Sequence, residues 1–339
     1  MLRLAGGWGY DNLGDEAILA GYLECLPEEV AVSVASVDPT RTAIAQQVKT
    51  RFSREGKSMP APGTLLLGGG GYLNGGWIPQ IYTKLGRLVH ERRGKTVVGH
   101  GIEVRKLDGR LQSHLAGKLF SGADIAVRDA DSSVELLKFK PTKIEVFPDA
   151  ISLLVPHLAK YVDPLADLKG RILINLLDLS ARPDAAESGL DTSTWLSFCD
   201  ELVASLGNRA IGLVVGAYDS TFMRRWPELE LLSPTTVRQL VSSIYSADGL
   251  FSVRMHPGLI ASGLNKPFVS VPYCGKIYPT LSRIGIEDRI MGSYDLPLIH
   301  AMLSGGDVAS EKWQLAHDEN VQWLNKSLGI NAFENHGLR

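Results

Sequence analysis

Cysteine is scarce and dispersed. Cys25, Cys199 and Cys274 are the only three in 339 residues; they lie far apart and lack metal-ligand spacing, so neither a disulfide framework nor a structural zinc is expected, and a reduced compartment fits. Neither charge is in excess. The 35 Lys+Arg stand against 37 Asp+Glu for a net −2, which argues against general nucleic-acid binding and against a polybasic membrane anchor. Long apolar runs are missing too, because Gly, Pro or a charge interrupts every candidate before the roughly 18 residues that a spanning helix needs. Met1–Gly6 leads straight into a strand-like segment with no basic region or cleavage site, so a cytoplasmic protein is expected. The 45% apolar content is globular, and the length suits two domains.

Short runs rich in Val, Ile and Leu alternate with segments of helical period, the pattern of βαβ units around a parallel sheet. Two such sets are expected. The first has strands at Leu2–Ala5, Val30–Ala35, Thr64–Leu67, Thr96–Val98, Ile125–Val127 and Lys143–Phe147, with helices starting near Gly14, Thr40, Pro79, Gln112 and Asp131. The second has strands at Arg171–Leu176, Ile211–Val215, Leu250–Val253 and Pro267–Val271, with helices near Thr192, Thr235, Pro257 and Ile277. Pro156–Gly170 reads as a linker, giving domains of 1–158 and 169–339. The expected fold is α/β: two Rossmann-like, doubly wound domains facing a cleft at the C-terminal ends of their sheets, where ligands of such sheets bind. Val321, Leu324 and Leu328, at helical spacing after Trp313 and Trp323, predict a closing amphipathic helix, assigned to the second domain.

Three clusters could carry chemistry. The first, Gly6-Gly7-Trp8-Gly9-Tyr10-Asp11-Asn12-Leu13-Gly14-Asp15-Glu16-Ala17, is a glycine-rich turn ahead of a helix. Its glycines allow close approach to a ligand, and a helix N-terminus offers N–H donors to an anion. On the residues alone, Asn12 as a cap and Asp15 and Glu16 as dipole complements are the simpler reading. Neither a P-loop nor Gly-x-Gly-x-x-Gly is present. The second cluster is Gly68–Gly71 with Asn74 beyond it; four glycines at a strand end forfeit backbone entropy, and a ligand packed on bare backbone at Gly70 and Gly71 is the expected compensation. The third is Arg254-Met255-His256-Pro257. Arg254 and His256 leave an extended strand end on one face, and Pro257 as first helical residue would make His256 the N-cap. A cation and a titratable imidazole there suit an anion that needs proton transfer. Arg128 and Lys276 sit at comparable strand ends, while Cys274 has no His or Asp in its sequence neighbourhood and reads as a small half-buried side chain instead of a nucleophile.

Together, Gly7-Trp8-Gly9-Tyr10-Asp11-Asn12-Leu13-Gly14-Asp15-Glu16-Ala17, the glycines at 68–71, Arg128-Asp129-Ala130-Asp131-Ser132 and Arg254-Met255-His256 resemble, in order and spacing, the polysaccharide pyruvyl transferase family. The resemblance implies a GT-B-like fold and transfer of a pyruvyl ketal from phosphoenolpyruvate to a sugar of a cell-surface polysaccharide or its lipid-linked precursor, at the inner face of the membrane. Two departures stand out: Cys274-Gly275 replaces the Asp-Pro that often precedes the lysine matching Lys276, and Asp149-Ala150-Ile151 replaces Asp-Pro-Ala. Phosphoenolpyruvate, with phosphate and carboxylate, calls for several cations and backbone donors, here Arg128, Arg254, Lys276, Gly70 and Gly71. His256 is the expected acid–base group, with Asp15 and Glu16 orienting or deprotonating the acceptor and Tyr10, Asn12 and Asn74 contacting it. Neither metal nor resident cofactor is expected, and a homo-oligomer is compatible with the sequence. The rivals are a GT-B glycosyltransferase using a nucleotide sugar, weakened by the lack of a clear acidic ribose-binding element, and a non-catalytic saccharide-binding module.

Overall fold

The computed structural model describes residues 1–27, 29–48, 50–57, 61–75, 81–180, 182, 185, 191–305 and 311–329. The chain forms two units, Met1–Pro156 with the segment from Gln314 onward, and His157–Trp313. The closing helix therefore belongs to the first unit, not to the second.

In the first unit an eight-stranded parallel sheet runs β3 (Arg51–Arg54), β2 (Val32–Ser36), β1 (Leu2–Ala5), β4 (Gly63–Leu67), β6 (Lys95–Arg105), β7 (Asp124–Val127), β8 (Lys143–Val146), with β5 (Gly70–Asn74) also on β6. β6 spans 11 residues because it serves two neighbours in succession: Leu67 of β4 pairs with Gly99, and Gly70 of β5 with Ile102. The glycine tract is thus a jog between two strands on one ladder. Alternate residues of β4 face opposite sides, so Leu65 and Leu67 join Leu85, Leu88, Leu119 and Phe120 of helices α3 (Ile81–Arg92) and α4 (Arg110–Phe120) in one core. Burial of each such side chain stabilises the unit by roughly 1.5–3 kcal/mol. The expected helix start at Pro79 lies outside the described residues. α1 (Leu13–Cys25) packs against the 3₁₀ turn Ala150–Leu153.

The C-terminal helix, Lys312–Leu328, is held to the first unit by a buried polar chain. Tyr22 Oη lies 2.7 Å from His100 Nδ1, His100 Nε2 lies 2.7 Å from Asn320 Oδ1, and Asn320 Nδ2 donates to Ser152 Oγ at 2.6 Å. A neutral imidazole that accepts at Nδ1 and donates at Nε2 satisfies the chain, and burial lowers its pKa to about 4. Trp323 stacks on His100 with ring centroids 5.5 Å apart.

In the second unit the parallel order is β11 (Leu231–Leu232), β10 (Ala210–Leu213), β9 (Ile172–Asn175), β12 (Gly249–Ser252), β13 (Phe268–Ser270). The expected linker packs instead. Residues 155–161 and 166–168 form 3₁₀ turns, and Asp163 N and Leu165 N donate to Ser242 Oγ and Ser246 Oγ of helix Val237–Ser246. In both units the winding direction reverses beside the first strand, at β1/β4 and at β9/β12, the place where doubly wound sheets open their ligand crevice. Among the described residues no helix is long and apolar enough to cross a membrane.

Candidate active site

At the β9/β12 reversal of the second unit, the backbone after β12 is pinned before it turns. Arg254 N donates to Asn175 Oδ1 at 3.1 Å, and Ser252 Oγ donates to the Arg254 carbonyl at 2.7 Å. Arg254, extended at φ −74° and ψ 134°, is the cap of helix Met255–Gly263. The helix therefore starts two residues before Pro257, and His256 lies within its first turn instead of capping it. Proline is tolerated there because the first N–H groups of a helix have no internal acceptor. His256 is 8% exposed.

Asp219, which the sequence reading missed, is fully buried at the start of helix Asp219–Met223. Arg254 Nε and Nη2 donate to its Oδ1 at 2.9 and 2.7 Å, while Oδ2 accepts from Asn175 Nδ2 at 2.8 Å, Val215 N at 2.9 Å and Gly216 N at 3.0 Å. A Cβ on Gly216 would stand 2.5 Å from Arg254 Nη2, so glycine there is a condition for the guanidinium's position. One buried carboxylate thus ties the ends of β9 and β10 to Arg254, whose side chain keeps 21% exposure. Lys276 caps helix Ile277–Arg283. Nearby Tyr273 has its phenol pushed up to about 12 by burial, against the opposing charges of Lys276, Arg182 and Arg254. Cys274 is buried, as are Cys25 and Cys199.

In the first unit the glycine-rich turn is packed by its own chain. The Trp8 ring fills the space beside Gly6 and Gly68, where a Cβ would come within 2.1 and 2.3 Å. Asp15 is wedged between the two glycine turns, 2.9 Å from a Cβ at either Gly7 or Gly70 (φ +117°). The space that the sequence assigned to a ligand at Gly70 is thus taken by a carboxylate, and Gly71 continues β5. Asn12 does cap α1, accepting from Gly14 N at 3.1 Å, and its Nδ2 donates to Asp15 Oδ2 at 2.9 Å. Glu16, 3% exposed, accepts from Gly9 N at 2.8 Å, Thr42 Oγ1 at 3.1 Å and Gln46 Nε2 at 2.9 Å. Burial raises its pKa against these bonds. Through these bonds its oxygens organise the turn and α2 (Pro39–Gln46).

Arg128 is likewise held by carboxylates of its own unit. It is 3% exposed, bonded to Glu103 and, at 2.9 Å, to Asp149. Burial opposes its charge, but these carboxylates and Asp129 more than offset that and hold it protonated. It belongs to the first unit and Arg254 and Lys276 to the second, so neither unit gathers all three cations. Tyr10 is 42% exposed and Asn74 7%. Lys84 was missed altogether: its Nζ donates to the Gly6 carbonyl at 2.8 Å and to Glu55 at 2.5 Å, beneath the rings of Tyr10 and Tyr72. The signal was a lysine within the stripe Ile81, Leu85, Leu88. Among the described residues no group of three His, Cys, Asp or Glu could hold a metal.

A search of curated proteins finds no match. Among solved structures, Anabaena Alr3699/HepE in complex with UDP-glucose is similar at TM-score 0.57 and 11% identity, over 96% of this chain and 100% of that one. S. aureus MnaA with UDP gives 0.55 and 11%, over 97% and 96%. UDP-GlcNAc 2-epimerase from Methanocaldococcus jannaschii gives 0.52 and 9%, over 96% and 99%. Such identities show the fold, two Rossmann-like halves of GT-B type. The family model for polysaccharide pyruvyl transferase matches residues 12–275. That span runs from the cap Asn12 past Asp219, Arg254 and His256, and the chain belongs to the polysaccharide pyruvyl transferase family.

Proposed function

We propose that the chain transfers the pyruvyl group of phosphoenolpyruvate to two hydroxyls of one sugar, forming a cyclic ketal and releasing phosphate. The observation that carries this reading is the Asp219–Arg254 pair, which holds a guanidinium rigidly at the sheet's ligand end with His256 two residues on. Arg254 and Lys276 meet the donor's phosphate and carboxylate, since charge-assisted contacts of this kind give both affinity and register. The donor's methylene carbon takes a proton from His256 and becomes a methyl group. One sugar hydroxyl adds to C2, and its proton returns to the imidazole. The C2–O bond to phosphate breaks, the second hydroxyl closes the ring, and its proton leaves with phosphate. The imidazole suits this because its two ring nitrogens can donate one proton and accept another. Arg128 is left out of the donor set by its two carboxylates, and Glu16 out of the acid–base set; Asp15, Tyr10, Asn12 and Asn74 remain the acceptor residues proposed in the first unit. The acceptor pocket is expected to be shaped by Asn74–Pro79 and Leu177–Thr192, of which residues 76–79, 181, 183–184 and 186–190 lie outside the described residues.

The acceptor is proposed to be a saccharide of a surface polysaccharide, and the reaction as written calls on no resident metal or cofactor. The second reading, a nucleotide-sugar enzyme, draws on similarity to structures solved with UDP-glucose and UDP. Thermal shift separates the two, because a ligand stabilises only the state it binds: phosphoenolpyruvate raises the Tm under the first reading and UDP under the second. Phosphate release with a pyranoside panel, read with the mass gain on the sugar, then tests turnover. A Tm raised by UDP and unmoved by phosphoenolpyruvate would reject the pyruvyl reading.

A further inference from the structure

Beside the Arg254 cluster, and wholly within the second unit, lies a cavity of about 390 Å³ that the reaction described above does not use. Its volume falls in the range of small-ligand sites. Arg182 and Arg225 lie in its wall, Asp178 and Tyr218 also line it, and Leu177 and Phe222 supply apolar surface.

Two of these features select the ligand's chemistry. Arg225 stacks on the Phe222 ring at 5.7 Å and Arg182 on the Tyr273 ring at 5.0 Å. A guanidinium carries its N–H donors in a planar fork that matches phosphate or carboxylate. Among the described residues of the wall, these two cations face one carboxylate, Asp178. Tyr218 is 79% exposed, an unusual placement for a large ring, and with Phe222 it offers the flat apolar surface on which the C–H face of a sugar packs. Asp178 accepts from Ser180 N and Oγ at 3.0 and 2.6 Å, which fixes its carboxylate. A fixed carboxylate repels a bare anion but accepts from hydroxyls.

We propose that this cavity binds a pyranose bearing an oxyanion, a phosphate or a carboxylate, with the oxyanion on Arg182 and Arg225 and the ring against Tyr218 and Phe222. The inference rests on the pyruvyl-transfer reading and names its acceptor class as anionic. The juxtaposition supports it. Tyr218 directly precedes Asp219, the residue that grips Arg254, and Arg182 stacks on the same Tyr273 that feels the charges of Lys276 and Arg254. A sugar held here presents its hydroxyls beside the donor cations.

Calorimetry on the whole chain tests this with galactose 1-phosphate, galacturonate, methyl galactoside and inorganic phosphate as probes, and with phosphoenolpyruvate titrated separately. At least one of the two anionic sugars binds roughly tenfold tighter than methyl galactoside and than inorganic phosphate, and Arg225→Gln removes that advantage. Which one binds identifies the oxyanion. Arg225 is exposed, so its replacement leaves the fold intact, and Arg225→Lys recovers part of the affinity. Phosphoenolpyruvate affinity stays within about twofold of wild type in both variants, because Arg225 is outside the donor set. Equal binding of methyl galactoside, equal binding of inorganic phosphate, an unaffected Arg225→Gln variant, or competition between phosphoenolpyruvate and the anionic sugar each overturns the proposal. Failure of phosphoenolpyruvate to bind while the anionic sugar does would instead overturn the pyruvyl-transfer reading and leave the cavity assigned.

Discussion

Acid should loosen the first unit through one residue, His100. Its imidazole is fully buried between Tyr22 and Asn320, and burial lowers its pKa to about 4 from the ordinary 6.5. Between those two values the unfolded chain takes up a proton that the folded chain refuses. The stabilisation is therefore fully present above pH 6.5, falls as the solution is acidified, and is gone below about pH 4. A difference of this size is worth about 3 kcal/mol. His100→Gln removes the titration; it loses some stability at pH 7.5 because the Tyr22 bond and the Trp323 stack are weakened. Urea unfolding followed by tryptophan fluorescence, from pH 7.5 to 4, should show the two stability curves converging by about 3 kcal/mol, because every other titratable group is common to both proteins. Parallel curves would refute the reasoning, because the buried imidazole would then titrate alike folded and unfolded.

Arg128→Ala leaves Glu103 to Arg105 and removes the buried counter-charge of Asp149, and should cost roughly 3–5 kcal/mol in chemical unfolding, with phosphoenolpyruvate affinity retained by the folded fraction; intact stability with lost affinity would return Arg128 to the donor site. Asp219→Asn keeps the shape but removes the charge that orients Arg254, so the phosphoenolpyruvate Kd measured by calorimetry should rise roughly tenfold or more, and an unchanged Kd would detach the pair from the donor. His256→Asn should cut phosphate release by about 10²–10⁴ while leaving donor affinity in place. Near-normal turnover with the wild-type pH profile would move the acid–base role elsewhere.

Much of the architecture is legible because its causes are local. β1 is found at Leu2–Ala5 as expected, and the capping role of Asn12 follows from its place before α1. β5 is hidden because its first two residues are the last glycines of a tract, which carry no β signal until β6 supplies the partner. The closing helix is visible from Val321 and Leu324, but its docking surface is not, since His100 and Asn320 are 220 residues apart in sequence. The same distance problem governs the site. Arg254 and His256 announce themselves within three residues, whereas Asp219 is an ordinary loop aspartate until the fold brings β9, β10 and β12 together. Arg128 is followed directly by Asp129, yet that carboxylate accepts from Ser132 N and Oγ as a helix cap, and the guanidinium goes to Glu103 and Asp149, 25 and 21 residues away.

Because Gln314 onward belongs with Met1–Pro156, the order of synthesis and the order of assembly differ. On the ribosome the second unit has its whole sheet before the first has its last helix. Until Asn320 and Trp323 emerge, Tyr22 and His100 hold a polar face with no lid, and the nascent first half is an open intermediate throughout the translation of the second. A stop codon or protease cut shortly before Lys312 therefore injures the half of the protein that was made first.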